Sequence, residues 1–213
     1  QGGQGHDVQP SRAQPGGIGH RRAGQVGVAQ HASGRHHEGL ARRCELHPAS
    51  QAVEQLGPQV DRYVFISSVS VYRDPVTPGA DESAPRYVLE DPATEQITGE
   101  TYGGLKAACE DVVREALGER ALIVRPGLII GPHDPTDRFT WWPERLAKGG
   151  RVIAPGDPDQ PVQFIDARDL GEWIVRALEA GTHGTIHANG PASRLTMRAM
   201  LERANAAVGG HAQ

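Results

Sequence analysis

Tyr102 and Lys106 are the residues of this chain whose types and spacing most directly suggest chemistry. They form a Tyr-x-x-x-Lys unit early in a stretch, 100–117, whose pattern predicts a helix. A separation of four places phenol and ammonium on one helix face, about one turn apart. A free phenol, with a pKa near ~10, is a poor base at neutral pH. A cation held beside it favours the phenolate. Lysine is scarce here: the chain has only two, Lys106 and Lys148, and arginine supplies the other basic side chains. Lysine offers a compact point charge where arginine offers a planar fork. By itself the spacing also fits a solvated helix face. The context narrows the choice. Upstream, the run RYVFISS (62–68) is apolar, rich in β-formers and closed by serines, and it reads as a buried parallel strand. Ligands of open α/β sheets gather beyond the carboxyl ends of strands. A strand-end hydroxyl followed by a helix carrying Tyr-x-x-x-Lys is a much rarer combination than the spacing alone.

The elements that must position these side chains follow from pattern. A helix is expected over 49–56, stopped by Gly57-Pro58, and a strand over 63–67. Residues 72–97 are Pro-rich, acidic and aperiodic, as in an active-site loop. The Tyr102 helix should end at Gly118, with strands at 121–125 and 128–130. A helix over 142–147 has Pro143 in its first turn, and short strands are expected at 151–154 and 162–165. Residues 167–179 place Leu170, Trp173, Ile174 and Leu178 on one side of an amphipathic helix. A strand over 185–187 and a final helix over 197–208, capped by Thr196, complete the pattern. Strands alternating with helices imply an α/β fold with a mainly parallel sheet.

The segment YVFISSVSVY (63–72) resembles the serine segment of extended short-chain dehydrogenase/reductases of the NAD-dependent epimerase/dehydratase group. Tyr102 and Lys106 match that family's Tyr and Lys. Counting back four from Tyr72 puts Ser68 at its catalytic Ser/Thr position. RPG (125–127), GPHD (131–134) and FIDARDL (164–170) are similar to further family segments in the same order, so the resemblance runs from about 48 to about 207. It implies a Rossmann-like fold and an NAD or NADP cofactor. The implied substrate is a nucleotide-sugar or a similar hydroxyl/carbonyl compound. Tyr102 is then the acid/base, taking a proton from a substrate hydroxyl as hydride leaves the same carbon, or returning it in reverse. Lys106 holds the nicotinamide ribose and assists the phenol, and Ser68 orients the reacting oxygen. Ser67, Tyr102, Pro126 and Gly127 would lie against the cofactor together with Lys106, and Ser70 and Asp166 against the substrate, in a fold whose small substrate-binding lobe begins near 131. Strand-end hydrogen bonding is an equal alternative for Ser67 and Ser70, as helix capping is for Asp166 and, still more, for Asp169. His133 is an optional pocket residue. Gly103 and Gly104 weaken a helix, which close approach of a ligand or close packing would explain.

Residues 1–46 differ in kind. They contain no aromatic residue and no lysine, and Gly, Gln, His and Arg dominate. So little apolar surface cannot offset ordering entropy, so the segment is expected to be disordered or read from a frame other than the ancestral one. The family's phosphate-binding glycine turn has only Gly16-Gly17-Ile18-Gly19 and Gly24 as a candidate, without a strand before it or a good helix start after it. The folded domain is expected over 47–213. A net charge of −4 and a pI near 6.2 argue against nucleic acid as partner. No apolar run is long enough for a membrane span and no signal segment opens the chain, so the expectation is cytoplasmic. Cys44 and Cys109 make no disulfide framework, and Cys109 reads as a small buried hydrophobe. His31, His36 and His37 lack the companions of a metal site, and no metal is assigned. Trp141-Trp142 reads as packing. Family members often dimerise, so a homodimer is possible. The alternative to an enzyme is a non-catalytic binding or regulatory protein that keeps the fold.

Overall fold

A computed structural model describes residues 46–73, 77–94, 96–134 and 136–213, together with the backbone of Val26–Ala29. Four strands form one sheet, all parallel, in the order β1-β2-β3-β6: β1 is Val26–Ala29, β2 Arg62–Ile66, β3 Ala121–Pro126 and β6 Gly184–Ala188. Successive residues of a strand point to opposite faces, and both faces here are covered. Tyr63, Phe65, Ala121 and Ile123 pack on one side with Ala49 and Val53 of α1 (Leu46–Leu56) and Cys109, Val113 and Leu117 of α2 (Tyr102–Leu117). Val64, Ile66, Leu122 and Val124 pack on the other side with Leu170 and Ala177 of α4 (Ala167–Glu179). This double burial is why RYVFI and ALIVRP read as unbroken apolar runs rather than alternating ones.

A smaller unit follows β3. Strands β4 (Leu128–Ile130) and β5 (Phe164–Asp166) pair in parallel, and α3 (Trp141–Ala147) packs on α5 (Met197–Ala207). The Thr196 hydroxyl accepts from the Ala199 amide, the cap expected of it. Trp141 and Trp142 meet edge to face at 4.8 Å. The strand expected at 151–154 is absent. Val152 donates to Gln213 O at 2.9 Å and Gly150 bridges Ala212, but Pro155 and Gly156 follow at once and no ladder extends. The strand expected at 162–165 is shifted to β5, because Val162 N–H bonds Leu195 O rather than β4.

The first 46 residues lie mostly outside the described ones, including Gly16 to Gly24, the three histidines and Cys44. The described part includes β1, which pairs along β2; a four-residue VGVA is too short to declare itself by periodicity. The described residues of the 72–97 stretch form no helix or strand, as its prolines suggest, yet they are tied down. Tyr87 N–H bonds Val71 O at 2.7 Å, and Arg73 N–H bonds Pro85 O at 3.0 Å.

Candidate active site

The site forms where the carboxyl end of β2 meets the first turns of α2. Ser67 N–H donates to Val124 O at 2.7 Å, prolonging the β2–β3 ladder by one residue. The chain then turns through a short 3-10 segment, Val69–Val71, with Ser68 as its cap. Ser70 N–H donates to Ser68 Oγ at 3.0 Å, and the Ser68 hydroxyl lies 3.0 Å from Ser70 Oγ. This turn rests directly on α2. A Cβ added to Gly103 would lie 2.2 Å from Ser70 O and 2.9 Å from the Tyr87 ring, and one on Gly104 would lie 2.7 Å from the Leu89 side chain. Gly103 is therefore required by packing against loop backbone, while at Gly104 the contact is with the Leu89 side chain, which can shift. Their closeness puts Tyr102, the first residue of α2, beside the Ser68 turn.

Lys106 is buried, 2% exposed, beneath this junction. Its Nζ lies 3.5 Å from Ile66 O, 5.4 Å from the Phe65 ring centroid and 5.9 Å from that of Tyr102. A cation withdrawn from water is held against aromatic faces and a strand-end carbonyl. Tyr102 is half-buried, Ser68 is half-buried and Ser70 is exposed. Ser68, Tyr102, Lys106 and Ser70 thus belong to one neighbourhood.

The remaining expected site residues have protein partners of their own. The Ser67 hydroxyl turns under the helix and donates to Glu110 Oε1 at 2.6 Å. Pro126 closes β3, and Gly127 N–H donates to Asn189 Oδ1 at 2.6 Å; a Cβ there would lie 2.4 Å from the same oxygen. Asp166 caps α4, accepting from Arg168 N at 2.8 Å and from both Arg168 Nε and Nη2. The Arg168 side chain, and then its amide, hold the Asp166 carboxyl down at about 2. Asp169 lies in the first turn of the same helix, and His133 is exposed in a left-handed turn with φ of 68°. A cleft of about 300 Å³ in the small lobe, lined by Pro155, Pro158, Met197 and Leu201 among others, includes none of the site residues. Among the described residues no group of His, Cys, Asp or Glu side chains could hold a metal ion.

Sequence reasoning missed the polar interior behind the site. Glu110 is fully buried and Arg125 is 1% exposed. They pair through two contacts, Nε to Oε1 at 2.8 Å and Nη2 to Oε2 at 2.6 Å. Arg86 Nη1 adds a third at 3.2 Å. Burial works against the charged guanidinium of Arg125. The hydrogen bonds and charge of Glu110 outweigh it, and the net shift is upward. Arg125 Nη1 also donates to Tyr72 Oη at 2.5 Å and to Glu82 O at 2.9 Å. Tyr72 in turn meets His187 Nε2, and His187 N–H donates to Glu82 Oε1 at 2.7 Å. That amide bond is the main reason the Glu82 carboxyl is lowered. One signal was available: Glu110 follows Lys106 at helical spacing, on the stripe that continues through Val113 and Leu117. A carboxylate on a buried stripe calls for a buried cation, and Arg125 closes an otherwise apolar strand.

Parallel strands flanked by helices on both faces, with hydroxyl-bearing side chains at a strand end, define a Rossmann-like α/β domain. Solved structures share this fold. UDP-N-acetylglucosamine 4-epimerase from Bacillus cereus matches with a TM-score of 0.61 and 16% identity, over 88% of this chain and 65% of that one. The Bordetella bronchiseptica enzyme WbmG, solved with NAD and UDP, matches with a TM-score of 0.56 and 18% identity, over 75% and 46%. In sequence, dTDP-4-dehydro-6-deoxy-D-allose reductase of Streptomyces bikiniensis is 31% identical over 137 residues, 62% of this chain and 41% of that protein. The chain therefore spans about two fifths of the length of this curated relative. The chain belongs to the NAD dependent epimerase/dehydratase family, whose model matches residues 47–189.

Proposed function

We propose that this chain carries the acid/base half of an NAD(P)-dependent oxidoreductase site. Its proposed substrate is a nucleotide-linked sugar with a keto or hydroxyl group at the reacting carbon. The observation that carries the reading is the junction of β2 and α2, where Lys106 is buried beside the Tyr102 ring and the Ser68 turn rests on the same helix turn. A phenol, an ammonium and a hydroxyl beyond the ends of parallel strands suit a ribose diol and a carbonyl oxygen, so the residues present fit the nicotinamide end of the cofactor. The bound nicotinamide supplies or accepts hydride at the substrate carbon. Tyr102 Oη gives a proton to the oxygen of that carbon in reduction and takes it back in oxidation. Ser68 Oγ donates a hydrogen bond to the same oxygen and fixes its direction. Lys106 holds the ribose hydroxyls and keeps positive charge beside the phenol. The 4-keto sugar nucleotide named for the Streptomyces relative is the first substrate to try.

The test is fluorescence titration with NADH and with NADPH, followed by turnover of dTDP-linked 4-keto-6-deoxyhexoses. Lys106→Ala is expected to weaken cofactor binding. Tyr102→Phe is expected to bind cofactor normally while turnover falls by about 10²- to 10⁴-fold, the range for loss of a positioned acid/base group. Failure of both cofactors to bind at millimolar concentration would remove the proposal. Cofactor binding without turnover of any keto sugar would favour a binding protein that keeps the fold.

A further inference from the structure

We infer that Glu110 is a positioning residue for the site, clamping the Tyr102–Lys106 helix to the strand ends that present Ser68. The inference deepens the proposed acid/base site and rests on it. Tyr102, Lys106 and Glu110 follow one another at intervals of four on α2, so all three lie along one helix face. The first two face the strand end, and the third reaches the two strands themselves. The Glu110 carboxylate accepts from Ser67 Oγ at the end of β2 and from Arg125 Nε and Nη2 at the end of β3. Ser67 immediately precedes Ser68, and Lys106 lies 3.5 Å from Ile66 O, one residue further back. A shift of Glu110 along or away from the sheet therefore moves the phenol and the ammonium relative to the Ser68 turn.

The same carboxylate gathers the loop. Arg86 donates to Glu110 Oε2 at 3.2 Å and to Ala107 O at 3.2 Å. Arg125, held by Glu110, supports Tyr72 and the Glu82 carbonyl, and Glu82 receives the β6 amide of His187. The first half of the segment between the Ser68 turn and Tyr102, through Tyr72, Glu82 and Arg86, is thus referred to one buried charge. Salt bridges on a solvated helix face contribute little and leave geometry loose. Here the anion is fully buried and its partner fixes it through a two-point fork, which sets direction as well as distance. Displacing a reacting group by ~1 Å can cost ~10²-fold in rate, which is the scale on which such a clamp acts.

The experiment compares Glu110→Gln, Glu110→Asp and Ser67→Ala with the unmodified chain, using Glu115→Gln on the exposed face of α2 as control. Three readouts are taken well below the melting transition: circular dichroism, NADH affinity by fluorescence, and the Tyr102 resonance in fluorotyrosine-labelled protein, assigned by its loss in Tyr102→Phe. Glu110→Gln is expected to keep its helix signal, to bind NADH about tenfold more weakly, as for loss of one charge-assisted contact, and to move or broaden the Tyr102 resonance. Glu110→Asp, which keeps the charge but is one methylene shorter, is expected to behave like Glu110→Gln, because reach and not charge alone is the requirement. Ser67→Ala removes one clamp bond without touching the ion pair and is expected to shift the same resonance in the same direction by less, which keeps the inference testable if Glu110 variants do not fold. Glu115→Gln should leave all three readouts unchanged. A folded Glu110→Gln with an unshifted Tyr102 resonance and unaltered NADH affinity would overturn the inference. If the unmodified chain binds neither cofactor, the proposed function falls, and the Tyr102 resonance in Glu110→Gln and Ser67→Ala still decides the clamp.

Discussion

Asp166 opens a helix in what resembles a substrate-side segment, but its two oxygens are occupied by the Arg168 amide and guanidinium. Its carboxyl is held at about 2, below the ~3.9 of an unfolded chain. A depressed folded-state pKa gives stability that is present above the unfolded value and lost as pH falls through the folded one. Thermal melts of Asp166→Asn and the unmodified chain should therefore differ above about pH 5 and converge between ~4 and ~2. Asparagine also caps helices well, so the difference isolates charge from capping. Glu110 and Arg125 allow a sharper measurement. Removing Glu110 strands the buried Arg125 charge, and removing Arg125 leaves buried Glu110 to the more exposed Arg86 and Arg114; breaking such a buried pair costs about 3–5 kcal/mol, while replacing both by apolar residues costs far less. Glu110→Leu, Arg125→Met and their combination should thus be strongly non-additive in denaturant unfolding, with the double variant more stable than either single one.

At the scale of elements, the start of α2 is decided by contact rather than propensity. Gly103 and Gly104 each weaken a helix by roughly 1 kcal/mol relative to alanine, yet Gly103→Ala should be destabilising. Its Cβ would meet the Ser70 carbonyl at 2.2 Å, and backbone cannot move aside as a flexible side chain can. We expect a net loss of about 1–3 kcal/mol, the scale of overpacking, and a larger fall in turnover than in stability, because the strain is relieved by separating Tyr102 from Ser68. Urea unfolding and turnover of the same preparation check both. Elements with strong local signals were legible in the sequence. The helix α4 keeps its 167–179 span because its apolar spacing and its Asp166 cap agree. The strands β2 and β3, whose apolar runs are short and bounded, fall within one residue of their expected spans. The 72–101 segment was legible only as a loop. Its shape comes from Tyr72, Glu82 and Arg86 meeting residues of α2, β3 and β6, and contacts between distant segments leave no local period. For the candidate site, the nearness of Lys106 to the Tyr102 ring was readable from order and spacing. The interior commitment of Ser67 was not, because its partner Glu110 lies 43 residues away.

At the scale of the whole molecule, the sheet divides two apolar cores, one under α1 and α2 and one under α4. Because side chains alternate faces, a one-residue slip of β2 would exchange Tyr63 and Phe65 for Val64 and Ile66 on both sides, so register is strongly fixed. Two phenols sit within or beside this structure. Burial raises Tyr63, with the nearby Cys109 adding to it; burial also raises Tyr72, against the lowering influence of Arg125. A raised folded-state phenol pKa gives stability that is full below the unfolded value near ~10 and is lost as pH climbs through the folded one. Unfolding followed by circular dichroism should therefore set in on the alkaline side together with phenolate absorbance, and Tyr72→Phe should lessen that alkaline loss while lowering stability at neutral pH. Among the described residues no helix is long and apolar enough to cross a membrane.

Cys109 lies on α2 three residues past Lys106, wholly covered by the first core. A thiol in that place is a clock for breathing of the helix that carries Tyr102 and Lys106. In a chain whose Cys44 is replaced by serine, a maleimide can reach sulfur only when α2 lifts from the sheet. Its modification rate then reports how often the Tyr102 hydroxyl leaves its post, a quantity that turnover alone would hide.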